Sequence, residues 1–357
     1  MMSETAQKAG APDPLFLRDL WYMAALSSSL KAGGMRREML LGEPVLLGRT
    51  HDGKIFALRD ICPHRGVPLS AGKLLGENIV ECPYHGWRFK PDGVCSAIPS
   101  LVDEQNIDPA KIRVRRYPVS EHDGLIWVYM SASGRENEPP RMAAPRVPVP
   151  DAKPRWNEVQ TFPCDIDHAV IGLMDPAHAA YVHDHWWWKR PLRRKEKRYV
   201  PLANGFTMAP HKPSKAAYGF LGGSNVTTEI TFELPSTRFE IVSGGIFGKD
   251  VKVVGLTVCT PRDAEHTDVI QVFYWPSWLF FIKPFFWAVG RTFIADDRKI
   301  VELQREGLKF NPTLMLIQDS DMPAIWYHRV KKAWAESVEN GTDFVNPVQE
   351  RTLRWIS

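Results

Sequence analysis

Two short cysteine and histidine boxes constrain the first part of this chain more than any other feature. Cys62 and His64 form the first box, as Cys-Pro-His, and seventeen residues later Cys82 and His85 form the second, as Cys-Pro-Tyr-His. Each box provides one thiol and one imidazole, so two loops brought together would offer two sulfur and two nitrogen ligands. The spacing therefore predicts a metal site held between two loops.

The ligand set favours an iron-sulfur cluster over zinc. Thiolates suit ferric iron bridged by sulfide, and replacing two of four thiolates by imidazoles raises the reduction potential by on the order of several hundred millivolts. Zinc sites usually pair Cys with Cys and His with His, whereas each box here has one of each. Unligated core residues are the remaining interpretation. Gly66, Pro68, Gly72 and Gly86 follow the boxes, and such residues let backbone N–H groups turn toward a cluster.

Length and composition place these boxes in a large folded protein. The 357 residues suit two domains, and a hydrophobic content of 44% with 13 Trp and 17 Phe supports a large core. The net charge of +4 is small and no basic stripe carries a base-stacking pattern, so we expect no nucleic-acid partner. Five scattered cysteines and a polar N-terminus without an apolar signal core predict a cytoplasmic location.

Strand, turn and proline patterns divide the chain into three parts. Residues 1–130 contain the boxes and short strands at 39–48, 55–59, 113–119 and 125–129, which predicts an all-β domain. Residues 131–155 contain six prolines and predict an extended connector. Residues 156–357 combine antiparallel strands with helices at 292–309 and 322–338. This predicts an α+β catalytic domain, helix-grip-like, with a sheet wrapped around long helices and a cavity between them.

An apolar stretch at residues 273–290 reads FYWPSWLFFIKPFFWAVG. Because Pro276, Lys283 and Pro284 interrupt it, it is a poor membrane-spanning helix, and we favour an internal aromatic wall over contact with a membrane surface. Part of the aromatic content of this half is expected to line a large apolar pocket for an aromatic or polycyclic substrate. The aromatic residues concerned are Trp186, Trp187, Trp188, Tyr274, Trp275, Trp278, Phe280, Phe281 and Trp287.

A second group of candidate metal ligands lies in the C-terminal part. His178 and His183 would lie about 140° apart on an ideal helix, so the helix must be irregular there, or His183 must lie past its end. Two imidazoles and one carboxylate form the facial triad of oxygen-activating non-haem iron enzymes. Asp296 and Asp297, in the predicted helix at 292–309, can supply the carboxylate. Taken singly, each of these residues is also compatible with packing or with a solvated helix face.

The two groups together resemble the Rieske non-haem iron oxygenases, and within them the vanillate and dicamba O-demethylase-like monooxygenases. The boxes match the family's cluster motifs in full, LMDPAHAAYVH at 173–183 looks like its D-x2-H-x4-H box, and FIADDRKIVELQ at 293–304 resembles its late helix. The resemblance implies a Rieske 2Fe-2S cluster and a mononuclear Fe(II). The implied cluster ligands are Cys62, His64, Cys82 and His85, and the implied iron ligands are His178, His183 and Asp297.

The resemblance also ranks the two acids and gives Asp175 a role. Asp297 is the first choice of carboxylate ligand because Glu302 follows it at the family's offset, and Asp296 is the second choice. Asp175 matches the aspartate that joins a ligand histidine of the iron to a cluster histidine of the neighbouring subunit in a homotrimer. One departure is Gly172, where the family commonly has Asn.

The implied function is that of a terminal oxygenase that hydroxylates or O-demethylates an apolar substrate with O2. Electrons would come from NAD(P)H through a separate ferredoxin and/or ferredoxin reductase, since the chain has no Gly-rich dinucleotide fingerprint. The basic segment 189–198 is either a solvated loop or a docking face for such a partner. Two alternatives stay open: an aromatic-ring cis-dihydroxylating dioxygenase, and a Rieske electron carrier without a catalytic iron.

Overall fold

A computed structural model describes residues 15–102, 104–186, 192–213, 225–246 and 249–357. Within these ranges the chain forms three small antiparallel sheets, one eight-stranded antiparallel sheet and four α-helices. The small sheets belong to the N-terminal part and the large sheet to the C-terminal part. The predicted α+β class is therefore confirmed.

The small sheets hold the segments that flank the two boxes. They are ordered β1-β11-β10, β2-β3-β4-β9 and β5-β6-β7-β8. The second box lies in the loop between β6 and β7. Their strands are β1 (Leu20–Leu26), β2 (Met35–Leu40), β3 (Glu43–Arg49), β4 (Ile55–Arg59), β5 (Lys73–Leu74), β6 (Val80–Glu81), β7 (Arg88–Phe89), β8 (Cys95–Ala97), β9 (Arg116–Tyr117), β10 (Val119–His122) and β11 (Leu125–Met130).

Of two tight turns in this part, one has a clear sequence signal and the other does not. Asp123 and Gly124 have φ of 57° and 76° and join β10 to β11 at the expected Asp-Gly turn. The single strand expected at 39–48 is wrong, because Leu41 and Gly42 have φ of 55° and 76° and separate β2 from β3. Leucine seldom adopts positive φ, so the sequence carried a weak turn signal there.

The proline-rich segment 131–155 forms no strand or helix among its described residues and packs closely on both parts of the protein. Ala144 and Val147 are buried in one apolar cluster with Trp127 of β11 and Leu256 of the large sheet. The indole of Trp21 donates a 2.7 Å hydrogen bond to the carbonyl of Met142. The segment is therefore extended and also part of the core, while the exact domain limits remain a prediction.

The C-terminal part is one large sheet with helices on one face. The sheet order is β12-β18-β17-β16-β15-β14-β13-β19, so the first and last strands of this part lie at opposite edges. Its elements are β12 (Trp156–Phe162), α1 (Ile166–Met174), α2 (Ala179–Val182), β13 (Arg194–Leu202), β14 (Gly205–His211), β15 (Thr227–Glu233), β16 (Thr237–Ile246), β17 (Lys249–Pro261), β18 (Thr267–Tyr274), α3 (Lys283–Leu308), α4 (Met322–Asn340) and β19 (Arg351–Ile356).

The two faces of this sheet pack on different partners. One face, which includes Phe206 and Phe232, shares a cluster with Ile294 of α3 and Trp326 of α4. The opposite face contributes Leu256 to the cluster with the N-terminal strands and the connector. A site between the sheet and the helices therefore lies on the face opposite Leu256, where residues of the N-terminal strands such as Leu20 and Val45 join the same cluster.

Helix α3 is longer than expected and changes the interpretation of the aromatic stretch. It begins at Lys283 rather than near 292, with Pro284 in its first turn, where proline is tolerated. By length and composition alone the helical segment Ser277–Leu308 could cross a membrane, a test that core helices of soluble proteins also pass. The predicted internal wall is correct for Trp275, Leu279, Ile282 and Phe286, which are buried. It is wrong for Phe280, Phe281, Phe285 and Trp287, which are exposed.

A buried ion pair fixes α1 against α4. The Lys331 ammonium lies 2.6 and 2.7 Å from the two carboxylate oxygens of Asp167, and it also donates to the carbonyl of Leu15 at 3.1 Å. The Tyr327 hydroxyl donates to the same carboxylate at 2.7 Å. Because α1 leads directly into the second candidate site, this pair holds one side of that site in place.

We expect Lys331→Met to lower the free energy of unfolding by about 3 kcal/mol, because it leaves the Asp167 carboxylate without its cation. Urea titration followed by circular dichroism measures this. The matched control is Lys332→Met, since Lys332 is 79% exposed and lies 3.9 Å from Glu336, where we expect a loss below about 1 kcal/mol. Equal losses in the two variants would contradict the assignment of Lys331 as a packing constraint.

Candidate metal centres

The two boxes form two loops of the same local shape. The Gly66 N–H donates to the carbonyl of Cys62 at 2.9 Å, and the Gly86 N–H donates to the carbonyl of Cys82 at 3.1 Å. The glycines have φ of 73° and 69°, a left-handed conformation that other residues adopt with strain. In each loop a glycine four residues after the cysteine therefore closes the turn.

The four predicted ligands on these loops differ in their exposure to solvent. Cys62 and Cys82 are 2% and 3% exposed, whereas His64 is exposed and His85 is half-buried. The two imidazole rings lie with their centroids 4.6 Å apart. Burial raises the pKa of the Cys62 thiol to about 11, so a metal is needed to hold it as a thiolate at neutral pH. The sulfur side of the site is internal and its nitrogen side faces the surface.

Aromatic rings hold the two imidazoles. The ring of His64 stacks on Trp87 with centroids 4.8 Å apart and planes 6° apart. The ring of Tyr84, 58% exposed, lies 3.8 Å from that of His85. The Trp87 indole nitrogen is buried and has no hydrogen-bond partner among the described residues. Two buried thiols opposite two surface imidazoles fit a [2Fe-2S] cluster with mixed ligands.

The second group converges from the α1–α2 segment and α3. The carboxylate oxygen Oδ1 of Asp297 lies 3.6 Å from Nε2 of His178 and 3.4 Å from Nε2 of His183. The three potential ligand atoms lie within 4.8 Å of one another, a spacing that could hold one metal ion. His178 immediately precedes the four-residue α2 and His183 immediately follows it. The sequence anticipated this as one of its two options, since His183 lies past the helix end.

Hydrogen bonds fix which nitrogen of each imidazole faces the centre. Nδ1 of His178 lies 2.9 Å from the backbone carbonyl of Asp175, and Nδ1 of His183 lies 3.2 Å from Oδ2 of Asp296. A carbonyl only accepts and a carboxylate normally accepts, so each Nδ1 carries the proton and donates it. Both Nε2 lone pairs are then free to bind a metal.

Asp296 supports the group from outside it. Its Oδ2 also accepts a hydrogen bond from Nε2 of His185 at 2.7 Å, and the Phe293 ring stacks on His183 at 4.3 Å. Asp296, the second-choice ligand of the sequence analysis, lies outside the three-residue metal group. The sequence could have indicated Phe293 as a neighbour of the site, because it precedes Asp296 and Asp297 by three and four residues on one helix face. His185 carried no comparable signal.

Asp175 and Gly172 differ in part from expectation. The carboxylate of Asp175 does not hydrogen-bond His178, because Oδ2 lies 3.8 Å from Nδ1 while Oδ1 accepts from the Ala177 N–H at 2.7 Å. The backbone of Asp175 makes the bond to His178 instead, and its carboxylate is left 33% exposed. An added Cβ at Gly172 would have no heavy atom within 4 Å, so the missing side chain leaves open space.

The charges and pKa shifts of the group suit a bound cation. Burial raises the pKa of Asp297, and the two neighbouring imidazoles oppose this shift. Burial also lowers the pKa of His183, which favours its neutral form. A neutral imidazole at His183 and a half-buried carboxyl at Asp297, whose ionised form a positive charge would favour, fit a divalent metal such as ferrous iron.

The sheet face beneath α3 is more polar than the apolar pocket expected from the sequence. Arg238 pairs in register with Thr257, which pairs with Gln271, and all three lie on the face that packs on the helices. The Arg238 guanidinium lies 3.3 Å from Glu240, and its charge acts to lower the pKa of Asp297. The side-chain carbonyl of Gln271 is buried without a partner among the described residues. Polar groups therefore lie close to the centre.

Two predicted features fall partly outside the described residues. Of the tryptophan run, Trp186 is 90% exposed, whereas Trp187 and Trp188 lie outside the described ranges. The basic segment 189–198 is not a loop where it is described, since it enters β13. There Arg198 pairs with Glu350 at 2.7 Å, and Glu196 pairs with Arg354 at 3.1 Å.

Comparison with known proteins assigns both halves of the chain. Residues 20–118 match the Rieske [2Fe-2S] domain, and residues 170–337 match the vanillate O-demethylase oxygenase C-terminal domain. The oxygenase component of dicamba O-demethylase from Stenotrophomonas maltophilia is 37% identical over 60% of this chain and 62% of its own length. The 4β-methylsterol monooxygenase of Methylococcus capsulatus is 27% identical over 82% of this chain and 81% of its own length.

Solved structures agree on the fold. A crystal structure of dicamba monooxygenase bound to dicamba aligns with a TM-score of 0.70 at 24% identity, covering 91% of this chain and 99% of that one. An N-terminal Rieske domain joined to a sheet-and-helix domain with two histidines and an acid defines a two-centre iron protein. The chain belongs to the Rieske non-haem iron oxygenases with a vanillate O-demethylase-type C-terminal domain.

We expect Asp296→Asn to weaken binding of the mononuclear metal by about 10- to 100-fold, because the bond that orients His183 is weakened. Chelator-treated protein titrated with Co(II) and followed by its visible spectrum measures this, and the cluster spectrum should stay unchanged. The matched control is Glu306→Gln on the same helix, whose carboxylate is exposed and pairs only with Lys309 among the ion pairs found here. Unchanged metal affinity in Asp296→Asn would contradict the orienting role.

Proposed function

We propose that this protein is the terminal oxygenase of a multicomponent system, which uses O2 to hydroxylate or O-demethylate a ring-containing organic substrate. The observation that carries the proposal is the approach of His178, His183 and Asp297 to within 4.8 Å, in a chain that also has a Rieske domain. A chain that served only as an electron carrier would have no use for this second group. The two centres together suit an enzyme that receives electrons singly and activates oxygen.

The residues of each centre have distinct tasks. Cys62, Cys82, His64 and His85 would hold the cluster, with the imidazole side turned toward the surface where an electron can enter or leave. His178, His183 and Asp297 would hold ferrous iron on one face. When bound, that iron supplies a site for O2 on the face that the three side chains leave open. The backbone carbonyl of Asp175 and the carboxylate of Asp296 would turn Nε2 of each imidazole toward the metal position.

The substrate is proposed to be a ring compound with at least one polar group. One relative is named for a 4β-methylsterol, and a solved dicamba monooxygenase structure is described as bound to 3,6-dichlorosalicylic acid, so both names point to ring compounds. Aromatic residues where β12 and β18 meet the start of α3, namely Trp156, Phe273 and Phe286, suit an apolar ring system. Arg238 and Gln271 offer a donor and an acceptor to a polar substituent, so a purely hydrocarbon substrate is less favoured.

Electron supply and assembly complete the proposal. A separate ferredoxin and/or ferredoxin reductase would deliver electrons from NAD(P)H, as the name "oxygenase component" of the dicamba relative suggests for that system. We further propose a cytoplasmic homotrimer in which Asp175 of one subunit meets His85 of the next. The exposed carboxylate of Asp175 and the surface-facing His85 support this arrangement. All five cysteines are free, which suits a reducing compartment.

Iron content and oxygen labelling test the proposal. An oxygenase requires three irons per chain, two in the cluster and one at the triad, whereas an electron carrier requires two. With a surrogate reductase and 18O2, one labelled atom in the product indicates hydroxylation, and two labelled atoms indicate cis-dihydroxylation. An unlabelled hydroxyl product formed together with formaldehyde indicates O-demethylation, because the oxygen from O2 then leaves with the methyl carbon. Two irons per chain after anaerobic reconstitution would overturn the proposal.

We expect Asp175→Asn to retain three irons per chain and to lose nearly all product formation. The backbone carbonyl that holds His178 is unchanged, so the metal stays, whereas the carboxylate proposed to link the two centres is removed. Iron analysis and product yield per electron consumed measure the two effects separately. The control is Asp165→Asn at the N-cap of α1, since asparagine also caps helices well. Full product formation in Asp175→Asn would refute the linking role.

A further inference from the structure

The start of α3 and the short helix before it (Ser277–Ile282) carry an outward apolar surface that the proposed reaction does not use. Its four members are exposed by 75%, 55%, 42% and 54%, and we call them the aromatic face: Phe280, Phe281, Phe285 and Trp287. A large contiguous apolar surface that faces solvent marks an interaction site. Single exposed hydrophobic residues would need no such explanation.

The aromatic face is displayed by a firmly anchored helix. Leu279, Ile282, Phe286 and Gly290 recur at helical spacing and are buried. Phe286 stacks on Trp275 at 5.0 Å, and a Cβ at Gly290 would come within 2.6 Å of Trp156. One side of the helix is therefore packed on the domain, and the other side is apolar where an ordinary amphipathic helix would be polar.

Beyond Gly290 the exposed side of the same helix is mixed, since Ile300 and Leu303 are 45% and 59% exposed among charged residues. Its later exposed positions include Arg298, Glu302 and Glu306, which form ion pairs with neighbouring charged side chains. Asp297 lies among them and faces the metal group, so this half of the helix is held against the domain at that position. Residues 277–290 would span about 21 Å as a helix, short of the roughly 30 Å of a bilayer core. The segment can lie on a membrane but cannot cross one.

Basic side chains border the aromatic face. The Lys249 ammonium lies 5.7 Å from the Trp278 ring, and the Arg291 guanidinium lies 5.4 Å from the Trp287 ring. Lys283 is exposed and precedes Trp287 by one helical turn. Tryptophan and phenylalanine on a surface with flanking Lys and Arg match the chemistry of a helix that lies in the headgroup region of an anionic bilayer.

We propose that the aromatic face docks this protein onto the surface of an anionic lipid bilayer, with the four rings among the acyl chains and the three basic side chains at the phosphates. The sequence alone favoured an internal wall, and the exposure of these rings is what changes that interpretation. The docking is peripheral, because the buried side of the helix stays in the domain. A second copy of this chain on the same face is the competing occupant.

Vesicle flotation tests the proposal with the full-length, cluster-loaded protein. The probe is a set of vesicles of phosphatidylcholine with one quarter phosphatidylglycerol, compared with pure phosphatidylcholine. The test variant combines Phe280→Ser, Phe281→Ser and Trp287→Ser. The control variant combines Phe310→Ser, Met315→Ser and Ile317→Ser, which are 86%, 82% and 56% exposed and lie beyond the other end of α3. An unchanged circular dichroism spectrum and an unchanged thermal unfolding midpoint verify that each variant is folded.

We expect the wild type and the control variant to float with the anionic vesicles, and the test variant to bind at least about tenfold more weakly. Binding to pure phosphatidylcholine should be weaker, because the basic side chains then lack partners. Failure of the wild type to float, or equal binding by the test variant, overturns the proposal. A lower molecular mass of the test variant by light scattering, with no vesicle binding by the wild type, assigns the face to a second copy instead. Each outcome is independent of turnover.

Discussion

The convergence of His178, His183 and Asp297 is the constraint on which the rest of this structure depends. The histidines bracket a four-residue helix, and the acid comes from a helix more than one hundred residues later. Two imidazoles and a half-buried carboxyl lose part of their hydration when they are brought together, and a cation bound between them would offset this cost. The large sheet, the ion pair between α1 and α4, and the long α3 all serve to hold these two segments at one place.

Control of imidazole orientation is shared between backbone and side chain in this centre. His178 is turned by a main-chain carbonyl and His183 by the carboxylate of Asp296. The first of these bonds does not depend on which side chain residue 175 carries, whereas the second depends wholly on residue 296. The two histidines look equivalent in sequence. Substitution of residue 296 would remove the bond that orients His183, whereas substitution of residue 175 would keep the backbone bond that orients His178.

Much of this arrangement could be predicted from the sequence, and the failures have physical causes. The α+β class, four of the eight strands of the large sheet (β15 to β18) and α4 follow from hydrophobic periodicity. The turn at Leu41 carries little sequence signal, because leucine disfavours positive φ. The early start of α3 is hard to predict, because Pro284 resembles an interruption of the helix although it lies in the first turn. The support by Asp296 and His185 depends on side-chain directions across distant segments, which no local pattern records. The exposure of Phe280 and Trp287 likewise depends on which side of α3 meets the domain.

The final strand has a consequence for the large sheet as a whole. Strand β19 covers the outer edge of β13, with Arg194 opposite Ile356 and Tyr199 opposite Arg351, and Leu353 is fully buried beneath it. A protein shortened by these few terminal residues would leave the hydrogen-bonding groups of β13 open to water and to other chains. Such an open edge invites strand pairing between molecules and aggregation.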